Sequence, residues 1–198
     1  MKYNIFTTAN RSYFAFVDVL VQSLTDNCEN LKTIYIADCG LGEYRKYLQD
    51  KPNVCILDTD ISDEYSGVHT DGWVKAVQQK TLSLFKLLTV IDDEDTLIMI
   101  DNDVCVLGDF SPVINKDFDI QATTMRAGTG IRKFDGIRID QIASFVILND
   151  RQKCKRFVNR WIRRMEYYRE NNIRTPHETP ALNDTIRENN KFDDPLSI

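Results

Sequence analysis

Short apolar segments of strand length alternate along the chain with longer segments in which apolar residues recur every three or four positions. The first pattern predicts β-strands and the second predicts amphipathic helices. The predicted strands are residues 3–8, 31–38, 53–58, 96–101, 117–124 and 141–149. Five helices are predicted. One begins near residue 10, three cover residues 41–50, 74–91 and about 150–170, and the last begins near residue 180. Repeated β-α-β units of this kind indicate an α/β fold with a mainly parallel central sheet flanked by helices.

The organisation of the chain predicts a single domain over residues 1–198. A length of 198 residues is enough for one sizeable α/β domain and is short for two. The polar stretch 59–73 and the Gly-rich, cationic stretch 125–138 are predicted to be loops, and neither has the length or composition of a linker.

Composition narrows the classes of function. A net charge of −5 gives a nucleic-acid partner no electrostatic support. The apolar stretches are too short to span a membrane, and the first residues lack the apolar core of a signal peptide. Five cysteines without CxxC spacing are expected to be reduced thiols rather than zinc ligands. We therefore expect a cytoplasmic protein.

The segment "TLIMIDNDVCVLGD" (96–109) places Asp101 and Asp103 between two apolar runs. This pattern predicts a short, mostly buried turn at the end of a strand. Buried carboxylates require a partner, and a hard divalent cation such as Mg²⁺ or Mn²⁺ is the natural one. The alternative is a capping or salt-bridged turn without a metal.

Acid-x-acid pairs are not rare in this chain, so the pattern is weak on its own. The pair Asp58 and Asp60 also follows a predicted strand and is the main competitor. The other copies are Asp93 with Asp95, in a polar turn, and Asp117 with Asp119.

Several segments, in the same order, resemble the nucleotide-sugar glycosyltransferases of the GT-A fold. "LIMIDNDVCVLGD" resembles their DxD motif between two apolar strands, and "TTANRSYF" (7–14) resembles the loop that holds the nucleotide. "IASFVILND" (142–150), "WIRRM" (161–165) and "ETPALN" (178–183) resemble later motifs of the family. The chain departs from the family at Phe145, where a glycine is usual, and at Glu178-Thr179, where Asp-Gln is usual. Relatives of the glycogenin type also have a late histidine that completes the metal site. Here either water and diphosphate complete it, or a downstream segment is missing.

The resemblance implies roles for individual residues. Asp103 would bind the metal directly, and Asp101 would bind either the metal or the donor ribose. Glu178 is the first candidate for the catalytic base or sugar-orienting group, and Asp140 is the second. The remaining residues expected to bind the nucleotide sugar are Thr8, Ala9, Asn10, Tyr13, Asp38, Lys80 and Asn102.

For three of these residues, an ordinary structural role is the alternative to binding the nucleotide sugar. Lys80 lies on the apolar stripe of a helix, where a lysine can extend its ammonium to the surface. Tyr13 can pack in the core instead of stacking on a base. Asp38 can cap the turn before Gly40 instead of accepting from a base or ribose.

The start of the last helix has two readings. Thr175 to Glu178 form a capping box, which would place Glu178 in a structural role. A start with Thr179 as N-cap and Pro180 at the first helical position is better, because proline then loses no helix hydrogen bond. His177 is expected to be a surface imidazole and His69 a loop-packing residue.

The helix over residues 151–170 carries eight basic residues around an apolar stripe. A solvated face is the ordinary explanation. Attraction to an anionic membrane is the alternative, and it would suit a lipid-linked acceptor.

Together these features predict a metal-dependent glycosyltransferase that moves a sugar from a nucleoside diphosphate sugar, with UDP favoured, to a glycan or other hydroxyl acceptor. A haloacid-dehalogenase-type phosphatase, whose nucleophile motif is also apolar-DxD-apolar, is one alternative. A non-catalytic scaffold that binds nucleotide sugar is the other.

Overall fold

A computed structural model describes residues 2–61, 71–91, 94–124, 133–134, 137–138, 141–172, 177–192 and 194–198. The strands are β1 (Tyr3–Ala9), β2 (Leu31–Asp38), β3 (Val54–Leu57), β4 (Thr96–Ile100), β5 (Ile120–Thr124), β6 (Lys133–Phe134), β7 (Ile137–Arg138) and β8 (Gln141–Leu148). The α-helices are α1 (Phe14–Asn27), α2 (Tyr44–Gln49), α3 (Asp71–Leu87), α4 (Arg151–Glu170) and α5 (Glu178–Arg187). Short 3₁₀ helices cover Arg11–Tyr13, Ser111–Val113 and Asn189–Lys191.

The central sheet has the strand order β3-β2-β1-β4-β8-β5. Strands β1 to β4 are parallel to one another, whereas β8 runs antiparallel to both β4 and β5. The predicted mainly parallel α/β sheet is therefore confirmed, with β8 as the exception. A separate hairpin pairs β6 with β7.

The sheet is buried on both faces. In β4, all five residues are buried, and alternate side chains enter two different hydrophobic clusters. Leu97 and Met99 join the cluster beneath α3, α4 and α5, while Ile98 and Ile100 join the cluster beneath α1. A strand covered on both faces is expected to be an uninterrupted apolar run, which is what "TLIMI" is. Each such side chain contributes about 1.5–3 kcal/mol when it is fully buried.

The basic face of α4 contacts the C-terminal part of the chain. Four residues spaced one helical turn apart reach successive partners in α5 and the segment after it. These contacts are Arg156 with Asp194, Arg160 with the ring of Phe192 at 3.7 Å, Arg164 with Glu188, and Tyr168 with Asp184. Three of the eight basic residues of α4 thus contact the chain at or after the end of α5, which weakens the case for this part of α4 as a membrane-binding surface.

Across the described residues, no helix combines the length and the apolar character needed to cross a lipid bilayer.

Candidate active site

One cleft opens at the carboxyl ends of β1 and β4. These strands are parallel neighbours, with Phe6 paired to Met99, so the residues that follow each strand meet at the same edge of the sheet. Ligands of open α/β sheets bind in this position. The cleft has a volume of about 200 Å³. Its lining residues are Thr8, Ala9, Asn10, Tyr13, Cys39, Ala76, Val77, Lys80, Asp101, Asn102, Asp103 and Glu178.

Asp101 is held in the cleft by its backbone and by its side chain. Its N–H donates to the carbonyl of Ser144 on β8 at 2.9 Å, and its carboxylate accepts from the ammonium of Lys80. Lys80 also donates to the carbonyl of Ala143 at 3.2 Å. These two carbonyls lie in a bulge of β8, where the pairing with β5 jumps from Val146 to Ile142. A bulge can redirect backbone groups beside a functional site, and this one serves both members of the ion pair.

Lys80 is buried, with 5% of its surface exposed, so the surface-reaching alternative for this lysine is wrong. Burial by itself lowers the pKa of the ammonium, but the carboxylate of Asp101 and that of Glu178 outweigh this effect. The pKa of Lys80 is therefore raised above its ordinary value, and Asp103 adds to the same effect. At neutral pH the cleft contains a fixed positive charge at its base.

Asp103 is exposed, and so are Cys105 and Leu107 in the apolar run that follows it. The expectation of a mostly buried turn is therefore wrong for the second half of the motif. Residues 102–107 form a turn and an extended segment outside the sheet, and Val106 is the buried residue of the run. The carboxylate of Asp103 reaches solvent from the mouth of the cleft instead of being enclosed by it.

The chemistry of the side chains fits an oxygen-preferring divalent cation. Two carboxylates, Asp101 and Asp103, line the same cleft, and Mg²⁺ or Mn²⁺ commonly binds to one or two carboxylates together with water and phosphate oxygens. Within the described part of the chain, no three His, Cys, Asp or Glu side chains converge closely enough to hold a metal by themselves. The cation would therefore need oxygen ligands from water or substrate.

The end of β1 and the residues after it form another part of the cleft lining. Asn102 donates from its side-chain amide to the carbonyl of Thr8 at 2.8 Å, which ties the end of β1 to the acidic turn. The side chain of Asn10 accepts from the N–H of Tyr13 at 3.0 Å and begins the 3₁₀ helix that presents the tyrosine to the cleft. Thr8, Asn10, Tyr13 and Asn102 are thus brought together, as the predicted nucleotide site requires.

Asp38 is not part of this cleft. One carboxylate oxygen accepts from the N–H groups of Gly40 and Leu41, at 2.9 and 2.7 Å. The other pairs with Arg45 at 3.0 Å. This geometry is the turn-capping alternative. Gly40 itself has a φ of 103°, a conformation that favours glycine. The structure thus shows Asp38 in the turn-capping role, outside the lining of the cleft.

Glu178 reaches the cleft from the first turn of α5 and is 9% exposed. One carboxylate oxygen, Oε2, is buried and has no hydrogen-bond partner. Nδ1 of His177 lies 3.2 Å away, but it already accepts from the N–H of Thr179 at 3.0 Å and so has no proton to donate. A buried carboxylate oxygen of this kind is costly unless a ligand pairs with it.

The start of α5 differs from both sequence-based readings. His177 is the N-cap and is partly buried rather than a surface imidazole, and Glu178 occupies the first helical position. Pro180 then lies at the third helical position, where the missing N–H has no partner within the helix in any case. Thr179 is inside the helix, and its hydroxyl accepts from the N–H of Ala143 at 3.3 Å.

Three residues that line the cleft were not predicted from the sequence as site residues, and some predicted residues lie outside the described part of the chain. Ala76 and Val77 lie one turn before Lys80, a spacing that could have identified them. Cys39 also lines the cleft, and burial raises the pKa of its thiol to about 12, which makes it unreactive. Asp140, His69, Asp93 and Thr175 lie outside the described residues.

Known proteins match this chain through their solved structures, and the match concerns the fold. No protein-family model matches the sequence, and no curated protein sequence matches it. Solved structures do match. The galactosyltransferase LgtC, in complex with donor and acceptor sugar analogs, aligns with a TM-score of 0.60 and 18% identity, over 91% of this chain and 69% of LgtC.

Two other glycosyltransferases give similar values. The apo form of GlyE from Streptococcus pneumoniae aligns with a TM-score of 0.61 and 16% identity, over 100% of this chain and 44% of GlyE. The bifunctional glycosyltransferase WbbM aligns with a TM-score of 0.57 and 12% identity, over 93% of this chain and 37% of WbbM. The chain thus spans less than half the length of GlyE and WbbM. The chain has a GT-A-like glycosyltransferase fold.

Proposed function

We propose that this protein is a metal-dependent glycosyltransferase that transfers a sugar from a nucleoside diphosphate sugar, with a UDP-sugar favoured, to a hydroxyl of a glycan or other acceptor. The observation that carries the proposal is the meeting of Asp101, Asp103, Lys80 and Glu178 in one cleft at the carboxyl ends of β1 and β4. The GT-A-like fold supports the same reaction class.

The two acidic residues of the turn have different roles in this proposal. Asp103, exposed at the mouth of the cleft, would hold Mn²⁺ or Mg²⁺. Asp101 has one oxygen paired with Lys80 and would offer the other to the cation or to the donor ribose. When bound, the cation neutralises the charge that develops on the leaving diphosphate, an effect of several kcal/mol.

Lys80 and Glu178 would act on the donor. The ammonium of Lys80 fixes Asp101 and adds positive charge near the diphosphate. Transfer breaks the bond between the anomeric carbon and the diphosphate oxygen, which keeps the electron pair, and forms a bond to the acceptor oxygen. In an inverting reaction Glu178 accepts the proton of the acceptor hydroxyl. In a retaining reaction it orients the sugar and stabilises developing positive charge. Asp140 is the second candidate for the base.

The nucleotide would lie against the end of β1 and the residues after it. Tyr13 lines the cleft, and its ring would stack on the base while its hydroxyl stays in water. Thr8, Ala9, Asn10 and Asn102 provide polar and backbone groups along the same wall. The five cysteines are all free, which supports our proposal that the protein works in a reducing compartment such as the cytoplasm.

The direct test is release of nucleoside diphosphate from a panel of nucleotide sugars, measured with Mn²⁺ and with EDTA. We expect turnover of one donor, most readily a UDP-sugar, that depends on the metal and is lost in Asp103→Asn. Hydrolysis of simple phosphate esters through a phospho-enzyme would instead indicate the haloacid-dehalogenase alternative. Nucleotide binding without turnover of any donor would indicate the non-catalytic scaffold.

A further inference from the structure

Trp161, in the middle of α4, contacts the first residue of α5. Its indole N–H donates to the backbone carbonyl of Glu178 at 2.8 Å, and the bond is buried. The tryptophan itself is fully buried, with an exposed fraction of 0%. A buried indole N–H needs a hydrogen-bond acceptor, and here the acceptor belongs to the residue whose carboxylate enters the cleft.

The same tryptophan belongs to the hydrophobic cluster that the two helices supplying the cleft share. This cluster contains Leu84 and Leu87 from α3 together with Ala181 and Leu182 from α5. A polar contact, from the hydroxyl of Thr81 to the sulfur of Met165 at 3.7 Å, also joins α3 to α4. Because Lys80 is on α3 and Glu178 is on α5, the cluster that contains Trp161 supports the helices of both charged groups.

The Oε2 atom of Glu178 is buried without a hydrogen-bond partner. The position of the carboxylate therefore depends on the backbone at the start of α5. The N-cap His177 holds that backbone locally through the N–H of Thr179, and Trp161 holds it from α4 through the carbonyl of Glu178 itself. In an active site, a displacement of about 1 Å can reduce a rate by about a hundredfold.

We infer that Trp161 is a positioning residue, which sets the place of the Glu178 carboxylate in the cleft through the indole hydrogen bond. This inference rests on the proposed function, since it concerns the reaction proposed for that site. Trp161 does not line the cleft and touches no substrate. Its effect passes through the main chain of Glu178.

The test uses Trp161→Phe, which keeps an aromatic ring in the core and removes the N–H. Tyr168→Phe is the matched control, because it also removes one α4–α5 hydrogen bond, to Asp184, at a place remote from Glu178. We expect Trp161→Phe to lower kcat for the donor about fivefold or more, with KM for the donor changed by less than about twofold. Tyr168→Phe should leave kcat within about twofold of wild type.

A double-mutant cycle separates positioning from general loss of stability. In the Glu178→Gln background, Trp161→Phe should have little further effect on kcat, because the group that it positions has already been replaced. If Trp161→Phe lowers kcat by the same factor in both backgrounds, or not at all, the inference is wrong.

If no donor is turned over, the proposed function fails. A second measurement, which does not need turnover, then still tests the role of Trp161. The chain has two tryptophans, so Trp161→Phe assigns the indole N–H signals in a ¹⁵N-labelled protein. We expect the Trp161 indole N–H to exchange slowly with solvent and to shift when UDP with Mn²⁺ binds or when Glu178 is changed to Gln. A signal that exchanges rapidly and responds to neither change would overturn the inference.

Discussion

The buried ammonium group of Lys80 pairs with the carboxylate of Asp101 at the end of β4. This contact joins a helix residue to the first acid of the turn Asp101-Asn102-Asp103. It explains how a lysine on an apolar helical stripe is tolerated inside the protein, since a charge can be buried when it is paired and hydrogen-bonded.

The first prediction concerns this ion pair. Lys80→Met should lower the unfolding free energy by about 1–3 kcal/mol, because the carbonyl of Ala143 and the carboxylate of Asp101 lose their shared donor. Donor turnover should fall at least tenfold, an effect of about 1.4 kcal/mol on the transition state. Lys80→Arg keeps the charge and serves as the control. Thermal unfolding and donor hydrolysis measure both effects, and full activity in Lys80→Met would contradict the proposed role.

Much of the sheet could be predicted from sequence because its signals are local. The run "TLIMI" is long enough and apolar enough to be a central strand, and all five residues are buried as a consequence. No helix was predicted between residues 124 and 141, which favours antiparallel pairing of β5 with β8. The direction of β8 relative to β4 does not follow from the same rule, because β4 and β5 are parallel although no α-helix lies between them.

The errors have physical causes that lie beyond local patterns. Val104 to Leu107 form an apolar run, but Leu107 is 88% exposed and only Val106 is buried, because the chain has left the sheet before Asn102. The cap of α5 was assigned to threonine from general preference, whereas an imidazole nitrogen of His177 supplies it. The hydrogen bond from Trp161 to Glu178 joins residues seventeen positions apart on two helices. The spacing of apolar residues within one helix cannot predict a contact between two helices.

The second prediction sets the two strand-end acidic pairs against each other. Asp103→Asn keeps the size of the side chain and removes a metal ligand, so Mn²⁺-dependent turnover should fall at least about a hundredfold. Stability should change by about 0.5 kcal/mol or less, because Asp103 is exposed. Asp60→Asn is the matched control and should leave turnover near wild type. Loss of activity in Asp60→Asn with activity retained in Asp103→Asn would show that the wrong pair was chosen.

The third prediction concerns removal of the metal. UDP should raise the melting temperature in Mn²⁺ and much less in EDTA, because the cation joins the carboxylates to the diphosphate. Mn²⁺ without nucleotide should bind weakly, since the described part of the chain brings no cluster of three ligating side chains together. Thermal shift with each combination, and Mn²⁺ titration with and without UDP, measure the two effects. Equal shifts in Mn²⁺ and EDTA would contradict the site.

The fourth prediction concerns Asp109, which follows the acidic turn in sequence and lies outside the cleft lining. Burial raises the pKa of its carboxyl, but hydrogen bonds from Ser111, Tyr3 and Asn30 outweigh burial and lower the pKa to about 2. Since the folded-state pKa is below the ordinary 3.8, the stabilisation is present above pH 4 and is lost as the pH falls toward 2.

The measurement is the difference in unfolding free energy between wild type and Asp109→Asn as a function of pH. We expect wild type to be more stable at pH 7 and the difference to shrink below pH 4. Tyr3→Phe removes one hydrogen bond to the carboxylate and keeps the titrating group, so it should leave a smaller pH dependence. A difference that is the same at pH 2 and pH 7 would show that Asp109 does not stabilise the fold through its charge.

The last prediction concerns Glu178, whose buried Oε2 atom has no hydrogen-bond partner. Glu178→Gln should slow sugar transfer at least tenfold, about 1.4 kcal/mol, while the affinity for UDP with Mn²⁺ stays near wild type. The melting temperature should change little, because the change removes a buried charge without a hydrogen bond at Oε2 but also removes the attraction of that charge to Lys80. Glu188, at the opposite end of α5, pairs with Arg164 of α4 and supplies the control variant Glu188→Gln, in which turnover should survive. If Glu178→Gln turns over donor and acceptor at the wild-type rate, the carboxylate has no part in the reaction, and Asp140 becomes the residue to replace next.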